Sequence, residues 1–308
     1  MRTRQVVVEA PASSANLGCG FDIFALAHAG PKDRLSLQKA SSKISLEIAG
    51  PKEMREEPWT NVVSAVAAVM LAEHRLAGGV SMKLVKGVPV GIGLGSSAAS
   101  SVAAAVGIDR LFKLGLSGRE ILGYAGVGEK SASGTAHYDN VAASFAGGFV
   151  VVGWDHSFVR MSPPKSMGLC LVTPRLKLPK QKTKFARSLL PKDVPMERAV
   201  AVTRASSMMV HGFMSRSLDE IGDAMSASFV DDRRSVMIPG FERVRRAAIA
   251  KGAAGVCISG AGPTMLAVCE RRLSGDVLKA MIKEFRARGV KSSGYVGRVG
   301  EGCRVVER

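Results

Sequence analysis

Residues 89–99 read Pro89-Val90-Gly91-Ile92-Gly93-Leu94-Gly95-Ser96-Ser97-Ala98-Ala99. Three glycines at alternate positions let a backbone take φ > 0 and come close to a ligand. The serines and small residues that follow open a helix, whose free N–H groups and partial positive charge suit a phosphate. A bare Gly-x-Gly-x-Gly is equally a tight strand-to-helix turn packed on a sheet. The Ser-Ser-Ala at the helix start favours phosphate. The run is not a Walker loop, because no Gly-Lys-Ser/Thr occurs in the chain. Nor is it a dinucleotide fingerprint, because Lys113 to Ser117, about twenty positions on, offer no acid for a ribose. Without a loop lysine, phosphate charge has to be met by the helix end, by Mg²⁺ and by basic residues from elsewhere.

Around this run the chain alternates strands and helices. Gln5–Ala10 is β-branched, and residues 34–38 and 43–48 alternate polar and apolar like a half-buried strand pair. Pro58-Trp59-Thr60-Asn61 opens an apolar helix to about Leu76, with Thr60 or Asn61 as N-cap, and Gly78-Gly79 ends it. Residues 80–85 form the next strand, and the helix after the glycine run ends near Phe112. Ser117-Gly118-Arg119-Glu120 is a capping box, and residues 145–152 are a glycine-led strand. Ser162-Pro163-Pro164-Lys165 is the expected linker, dividing the chain into 1–160 and 161–308. Beyond it, residues 180–184 read as a polar loop, and 197–213 and 218–229 as helices. A strand-strand-helix-strand pattern closes the chain. The expected class is α+β with two layered sheets.

The 308 residues allow two domains or one large one, and 46% hydrophobic against 22% charged residues permits a full core. Lys and Arg number 43 against 26 Asp and Glu, a net charge of +17. That surplus attracts nucleotides, acidic metabolites or nucleic acid without choosing among them. Aromatic residues are only 5%, which argues against a base-stacking surface and against specific nucleic-acid binding. Cys19, Cys170, Cys257, Cys269 and Cys303 form no C-x-x-C pair, and the five histidines show no metal-ligand spacing. A reducing compartment is expected. No apolar run approaches the ~18–20 residues of a membrane span. The three valines near the start fall short of the roughly 7–15 apolar residues of a signal peptide. The expected location is the cytoplasm, with no membrane partner.

Two further runs carry chemistry. Pro11-Ala12-Ser13-Ser14-Ala15-Asn16-Leu17-Gly18-Cys19-Gly20-Phe21-Asp22 presents an amide and a carboxylate among small residues, and alone would pass as an ordinary polar turn. Ser259-Gly260-Ala261-Gly262-Pro263-Thr264 lies between two apolar strands. It is a hairpin turn or a second place where backbone N–H groups stay accessible.

Together the three runs resemble the GHMP kinase superfamily. Within it, His137-Tyr138-Asp139-Asn140-Val141-Ala142 with Gly147-Gly148-Phe149, and Arg234-Ser235-Val236-Met237-Ile238-Pro239-Gly240, are similar to segments of its homoserine kinase branch. Cys19 stands where that branch more often has proline, and Tyr138 where it has proline or alanine. The resemblance implies a two-domain α+β fold, with a ribosomal-protein-like N-terminal domain that binds ATP and a ferredoxin-like α/β sandwich after it. It implies ATP and Mg²⁺ as cofactors, L-homoserine as substrate, a homodimer, and a place in threonine biosynthesis.

The resemblance also assigns residues. ATP phosphates fall on Pro89, Val90, Gly91, Ile92, Gly93, Leu94, Gly95, Ser96, Ser97, Ala98 and Ala99, with Asn61 beside adenine and Thr183, Gly260 and Gly262 near the nucleotide. Mg²⁺ falls between Ser97 and Glu129, a sparse protein set that suits this ion. Asn16, Asp22 and His137 would meet the ammonium and hydroxyl of the amino acid. Arg187 and Arg234 would meet its carboxylate, since a guanidinium fork matches one. Asp139 and Asn140 occupy the segment where some superfamily members carry a base. The likeness puts Asn140 nearest the reaction, and the sequence leaves open which of the two faces the hydroxyl. A kinase of another small alcohol, of the mevalonate type, is the main rival, and a basic nucleic-acid-binding protein the second.

Overall fold

The computed structural model describes residues 5–50, 61–179 and 181–307. β1 (Gln5–Asn16) and β2 (Gly20–Ala40) form a long antiparallel hairpin. β3 (Ile44–Ala49), α1 (Val62–Glu73) and β4 (Gly79–Val85) follow as a parallel β-α-β unit. The Asn61 side-chain oxygen accepts from the Val63 N–H at 2.9 Å and caps α1. Pro58, Trp59 and Thr60 lie outside the described residues. The expected pairing of residues 34–38 with 43–48 does not form. β4 inserts between β2 and β3, with Leu84 opposite both Leu35 and Ile48. Alternation marks each strand as half-buried but does not name its neighbour.

Next come α2 (Ser96–Phe112), α3 (Gly118–Ser133), α4 (Tyr138–Ala146), β5 (Phe149–Val152) and β6 (Phe158–Met161). α2 packs on β1 and β2 and is walled in by α1, α3 and α4. Its run of Ser, Ala and Gly is what lets it sit so close. A Cβ on Gly107 would collide with the Leu37 side chain. The capping box at Ser117 and Glu120 is formed in both directions. The strand expected from Phe145 starts at Phe149, because α4 runs to Ala146 and the left-handed Gly147 and Gly148 then turn the chain.

β7 (Met167–Pro174) opens a second sheet. α5 (Lys182–Ser188), α6 (Met196–Ser215), α7 (Leu218–Met225), α8 (Phe229–Arg234) and α9 (Phe241–Ile249) precede β8 (Ala253–Ile258) and β9 (Met265–Glu270). α10 (Ser274–Ala287), β10 (Ser292–Gly297) and β11 (Arg304–Glu307) end the chain. Two expectations are corrected here. Residues 182–184 are the first turn of α5 rather than loop, and the helix read over 218–229 breaks at Met225, with Ser228 capping α8 through the Asp231 N–H.

Among the described residues the second sheet is antiparallel in the order β10-β7-β9-β8, while the first runs β11-β1-β2-β4-β3 with β5 beside β2 and β6 beside β5. The last strand thus returns to pair with the first. The period of two in β7, β8 and β9 splits their side chains between two cores. Leu169, Leu171, Cys257, Leu266 and Val268 join the large core under the first sheet, together with Phe149 and Phe213. Cys170, Val172, Val256, Ile258, Met265 and Ala267 face α9 and α10. The second sheet is a partition, so the loops at its β8–β9 end are fixed against the first sheet.

Candidate active site

The three glycine- and serine-rich runs meet. The Ser13 N–H donates to Leu94 O at 3.1 Å, Gly260 N to Ala15 O at 3.1 Å, and Thr264 N to Ile92 O at 3.2 Å. The Ser259 hydroxyl donates to Gly93 O at 2.6 Å and is hydrogen-bonded to Ser14 Oγ at 2.6 Å. A cavity of about 380 Å³ opens over this seam. The β8–β9 run is therefore a hairpin turn, as one expectation had it, and also a wall of the site.

The 91–97 run forms the cavity floor. Gly93 (φ 88°) and Gly95 (φ 63°) are left-handed. A Cβ at Gly93 would collide with the carbonyls of Ser259 and Gly262, and one at Gly95 with the Ser13 hydroxyl. Space for a ligand is thus the smaller of two reasons for glycine here; the loops pack on each other. Gly95 caps α2 with no side-chain bond, so the first N–H groups of the helix are left for a ligand.

Sequence reasoning missed what lies beneath this loop. Lys86 is buried, with Nζ 2.7 Å from Asp33 Oδ2, 2.7 Å from Ser96 Oγ and 2.9 Å from Ser100 Oγ. Asp33 Oδ1 accepts from the N–H groups of Gly87 and Val88, both at 3.0 Å. The pair ties the end of β4 to the first turn of α2. A lysine just before the glycines was the available signal; its partner lies 53 positions upstream.

The acceptor end is built from other elements. Asn16, the last residue of β1, donates through Nδ2 to Gly260 O at 2.9 Å and accepts from the Asp22 N–H. Arg187 Nη2 reaches both Asp22 carboxylate oxygens, at 2.9 and 3.1 Å. Arg234 is buried, donating from Nε to Ala186 O and from Nη1 to Gly260 O, each at 3.1 Å. The Phe21 ring lies 5.3 Å from the Arg187 guanidinium and 5.2 Å from that of Arg234, so it props both. Lys182, also missed, lines the cavity and donates from Nζ to Gly262 O.

Between floor and acceptor end stand Glu129, His137, Asp139 and Asn140. His137 Nδ1 lies 3.1 Å from Glu129 Oε2. Burial works against a charged His137 ring, but the Glu129 carboxylate together with Asp139 and Asp22 outweighs it and raises the pKa. Asp139 is pushed up to about 6, chiefly by burial. Its Oδ1 accepts the Asn140 N–H at 2.7 Å, while Asn140 Oδ1 accepts from Ser13 Oγ at 2.9 Å. Asn140 is thereby held against Gly95 at the start of α2.

Asn16, Asp22, Glu129, His137, Asp139, Asn140, Thr183, Arg187 and Arg234 all line the one cavity, as do Val90, Gly91, Gly93, Leu94, Gly95, Ser96, Ser97 and Gly260. Pro89, Ile92, Ala98, Ala99 and Gly262 are not among the residues that line it. Asn61 stands apart from the lining, its side-chain oxygen given to the cap of α1, while its neighbour Val62 faces in. No cluster of three metal-ligating side chains occurs among the described residues, and none of their helices is long and apolar enough to cross a membrane.

A glycine-rich loop feeding a helix, packed on a second such turn and faced by Asp-Asn, defines a class. The model of the GHMP kinase N-terminal domain matches residues 61–148 and that of the C-terminal region matches 209–291. The chain belongs to the GHMP kinases, ATP-dependent phosphotransferases. Within them it is similar to the homoserine kinase of Methanocella arvoryzae, 37% identical over 98% of each chain, and to that of Natronomonas pharaonis, 38% identical over 97% of this chain and 99% of the relative. The crystal structure of homoserine kinase from Cytophaga hutchinsonii superposes with a TM-score of 0.88 at 32% identity, covering 99% of this chain and 98% of that one.

Proposed function

We propose that the chain is a homoserine kinase, transferring the γ-phosphoryl group of ATP to the side-chain hydroxyl of L-homoserine to give O-phospho-L-homoserine and ADP, in threonine biosynthesis. The observation that carries this is the Asp22–Arg187 pair at the acceptor end, in the same cavity as Asn140 and the glycine loop. A free amino acid carries an ammonium and a carboxylate. Slid between Asp22 and Arg187, it exchanges one half-exposed ion pair, cheap to open, for two. Arg234 adds a second guanidinium at that end. Mevalonate has a carboxylate but no ammonium for Asp22.

The triphosphate rests on the N–H groups of Gly93 to Ser97. Ser97 and Glu129 offer a hydroxyl and a carboxylate to one cavity, a donor set that fits Mg²⁺, which takes its other ligands from phosphate and water. Bound there, the ion would neutralise phosphate charge. Asn140, fixed by Ser13 and Asp139, orients the hydroxyl for in-line transfer, where positioning and charge compensation do most of the work. Asp139 spends an oxygen on the Asn140 N–H and supports it rather than acting as base. The hydroxyl proton then leaves on the transferred phosphate. The homodimer and the reducing cytoplasm belong to the same reading; all five cysteines are free thiols.

Coupled ADP release with homoserine, mevalonate, threonine or no acceptor is the test. Homoserine is expected to turn over far faster than the rest. Equal rates with mevalonate would transfer the reading to another small alcohol.

A further inference from the structure

The loop has no lysine of its own, and the cation beneath it is committed. Lys86 is closed in by Asp33, Ser96 and Ser100. Arg187 is paired with Asp22, and Arg234 holds two backbone carbonyls. Lys182 is placed differently. It stands in the first turn of α5, lines the cavity, and its ammonium donates to Gly262 O. That carbonyl touches the loop, since a Cβ on Gly93 would lie 2.9 Å from it. The ammonium is thus one carbonyl away from the middle glycine, on the ligand side.

We propose that Lys182 is a nucleotide-binding residue that takes the part of the absent loop lysine, its ammonium moving from the Gly262 carbonyl to the ATP phosphates above Gly93. This rests on the nucleotide reading of the loop. A carbonyl is a weak partner for an ammonium, and a phosphate oxygen carrying charge is a stronger one. The flexible stem lets the ammonium follow the phosphates as a point charge without a fixed fork. The Lys182 ammonium and the loop line the same cavity, so the move needs no rearrangement of either backbone.

The electrostatics agree. Burial, with repulsion from Arg234 on α8, lowers the Lys182 pKa to about 7. The 259–264 turn against it carries no titratable side chain, and its own helix supplies Arg187 and the exposed Lys184. Asp22, Lys86, Glu129, His137 and Asp139 are the other titratable groups of the cavity. A triphosphate would restore the proton to a partly neutral Lys182, so nucleotide binding takes up a proton.

The test is calorimetric titration of a non-hydrolysable ATP analogue with Mg²⁺, without acceptor, near pH 7.5 in two buffers of different ionisation enthalpy. Wild type is expected to bind with proton uptake. Lys182→Met should bind about tenfold or more weakly and lose the uptake. Lys182→Arg, always charged, should keep most of the affinity and also lose the uptake, which separates Lys182 from His137. Circular dichroism checks that both variants fold. Wild-type affinity in folded Lys182→Met, uptake persisting in both variants, or a KM rise confined to the alcohol would overturn the proposal. No binding by wild type would overturn it together with the nucleotide reading. Normal analogue binding without homoserine turnover would sink only the acceptor.

Discussion

The floor of the cavity and its acceptor end are built from different materials. The floor is backbone: carbonyls and N–H groups of three runs bonded to one another over a buried Lys86–Asp33 pair. The acceptor end is side chain: Asp22 and Arg187, 42% and 37% exposed, reach across from the start of β2 and a short helix. A triphosphate has the same shape in every kinase reaction, so a rigid preformed cradle suits it. The acceptor differs from kinase to kinase, and long charged side chains on short elements can be exchanged without disturbing the core. Damage to the floor should therefore appear first as lost stability, and damage to the acceptor end as raised KM.

The largest effect is expected at Lys86. Lys86→Met leaves Asp33 buried without its cation, and breaking a buried pair costs roughly 3–5 kcal/mol. Urea denaturation should show a loss of that size. An unchanged midpoint would mean that the floor is held by its backbone bonds alone. Arg234 belongs with the floor despite its place at the acceptor end, because it is 4% exposed and satisfies Ala186 O and Gly260 O. Arg234→Ala should lower stability and also cost roughly 2–5 kcal/mol of homoserine binding. A pure KM effect would move it to the other side of the comparison.

At the junction of the two regions, Ser97→Ala and Glu129→Gln should each lower kcat by about 10²-fold or more while changing the KM for homoserine little, the pattern of lost charge stabilisation in the transition state. A titration of rate against Mg²⁺ should show a weakened metal dependence in both. Variants with wild-type kcat and metal dependence would remove them from the metal's surroundings.

Asp139 tests the mechanism and carries a pH signature. Its folded pKa of about 6 lies above the ordinary 3.8. Between those values the folded protein binds more protons than the unfolded chain, so this group's contribution to stability falls as pH rises through the window. Above pH 6 the buried charge is a penalty on the order of 1–3 kcal/mol. Asp139→Asn should be more stable than wild type above pH 6 and equal to it below about pH 4. Its amide oxygen can still accept the Asn140 N–H, so kcat should hold within about tenfold. A loss of 10²–10⁴, the usual worth of a general base, would make Asp139 the proton acceptor.

The sequence disclosed the floor far better than the acceptor end, for physical reasons. Left-handed turns favour glycine, so the 91–95 pattern was visible, as was the Ser117–Glu120 capping box. The Asp33–Lys86 pair needs two strands brought together from 53 residues apart, and neither residue differs locally from a surface charge. α5 read as loop because 180–184 is Lys-Gln-Lys-Thr-Lys, without apolar period. It becomes helical where Ala186 is buried, its carbonyl is held by Arg234, and Arg187 meets Asp22. Those contacts are tertiary, and Lys182 was hidden with them.

The smallest effect, and the sharpest on substrate choice, is expected at Arg187. Its pair with Asp22 is about two-fifths exposed, and exposed pairs contribute only about 0–1 kcal/mol. Arg187→Ala should therefore leave stability within about 0.5 kcal/mol of wild type. The substrate's carboxylate would keep Arg234, so the KM for homoserine should rise about tenfold, near 1.4 kcal/mol, with the KM for ATP unchanged. Arg187→Lys should recover only part of this, because an ammonium cannot reproduce the fork. An acceptor with the alcohol and the amine but no carboxylate should be poor for wild type and no worse for Arg187→Ala, since the lost guanidinium had nothing to bind. The decisive measurement is initial rate against both acceptors at saturating ATP. If Arg187→Ala weakens them equally, Arg187 acts by holding Asp22 in place, and the carboxylate is read by Arg234 alone.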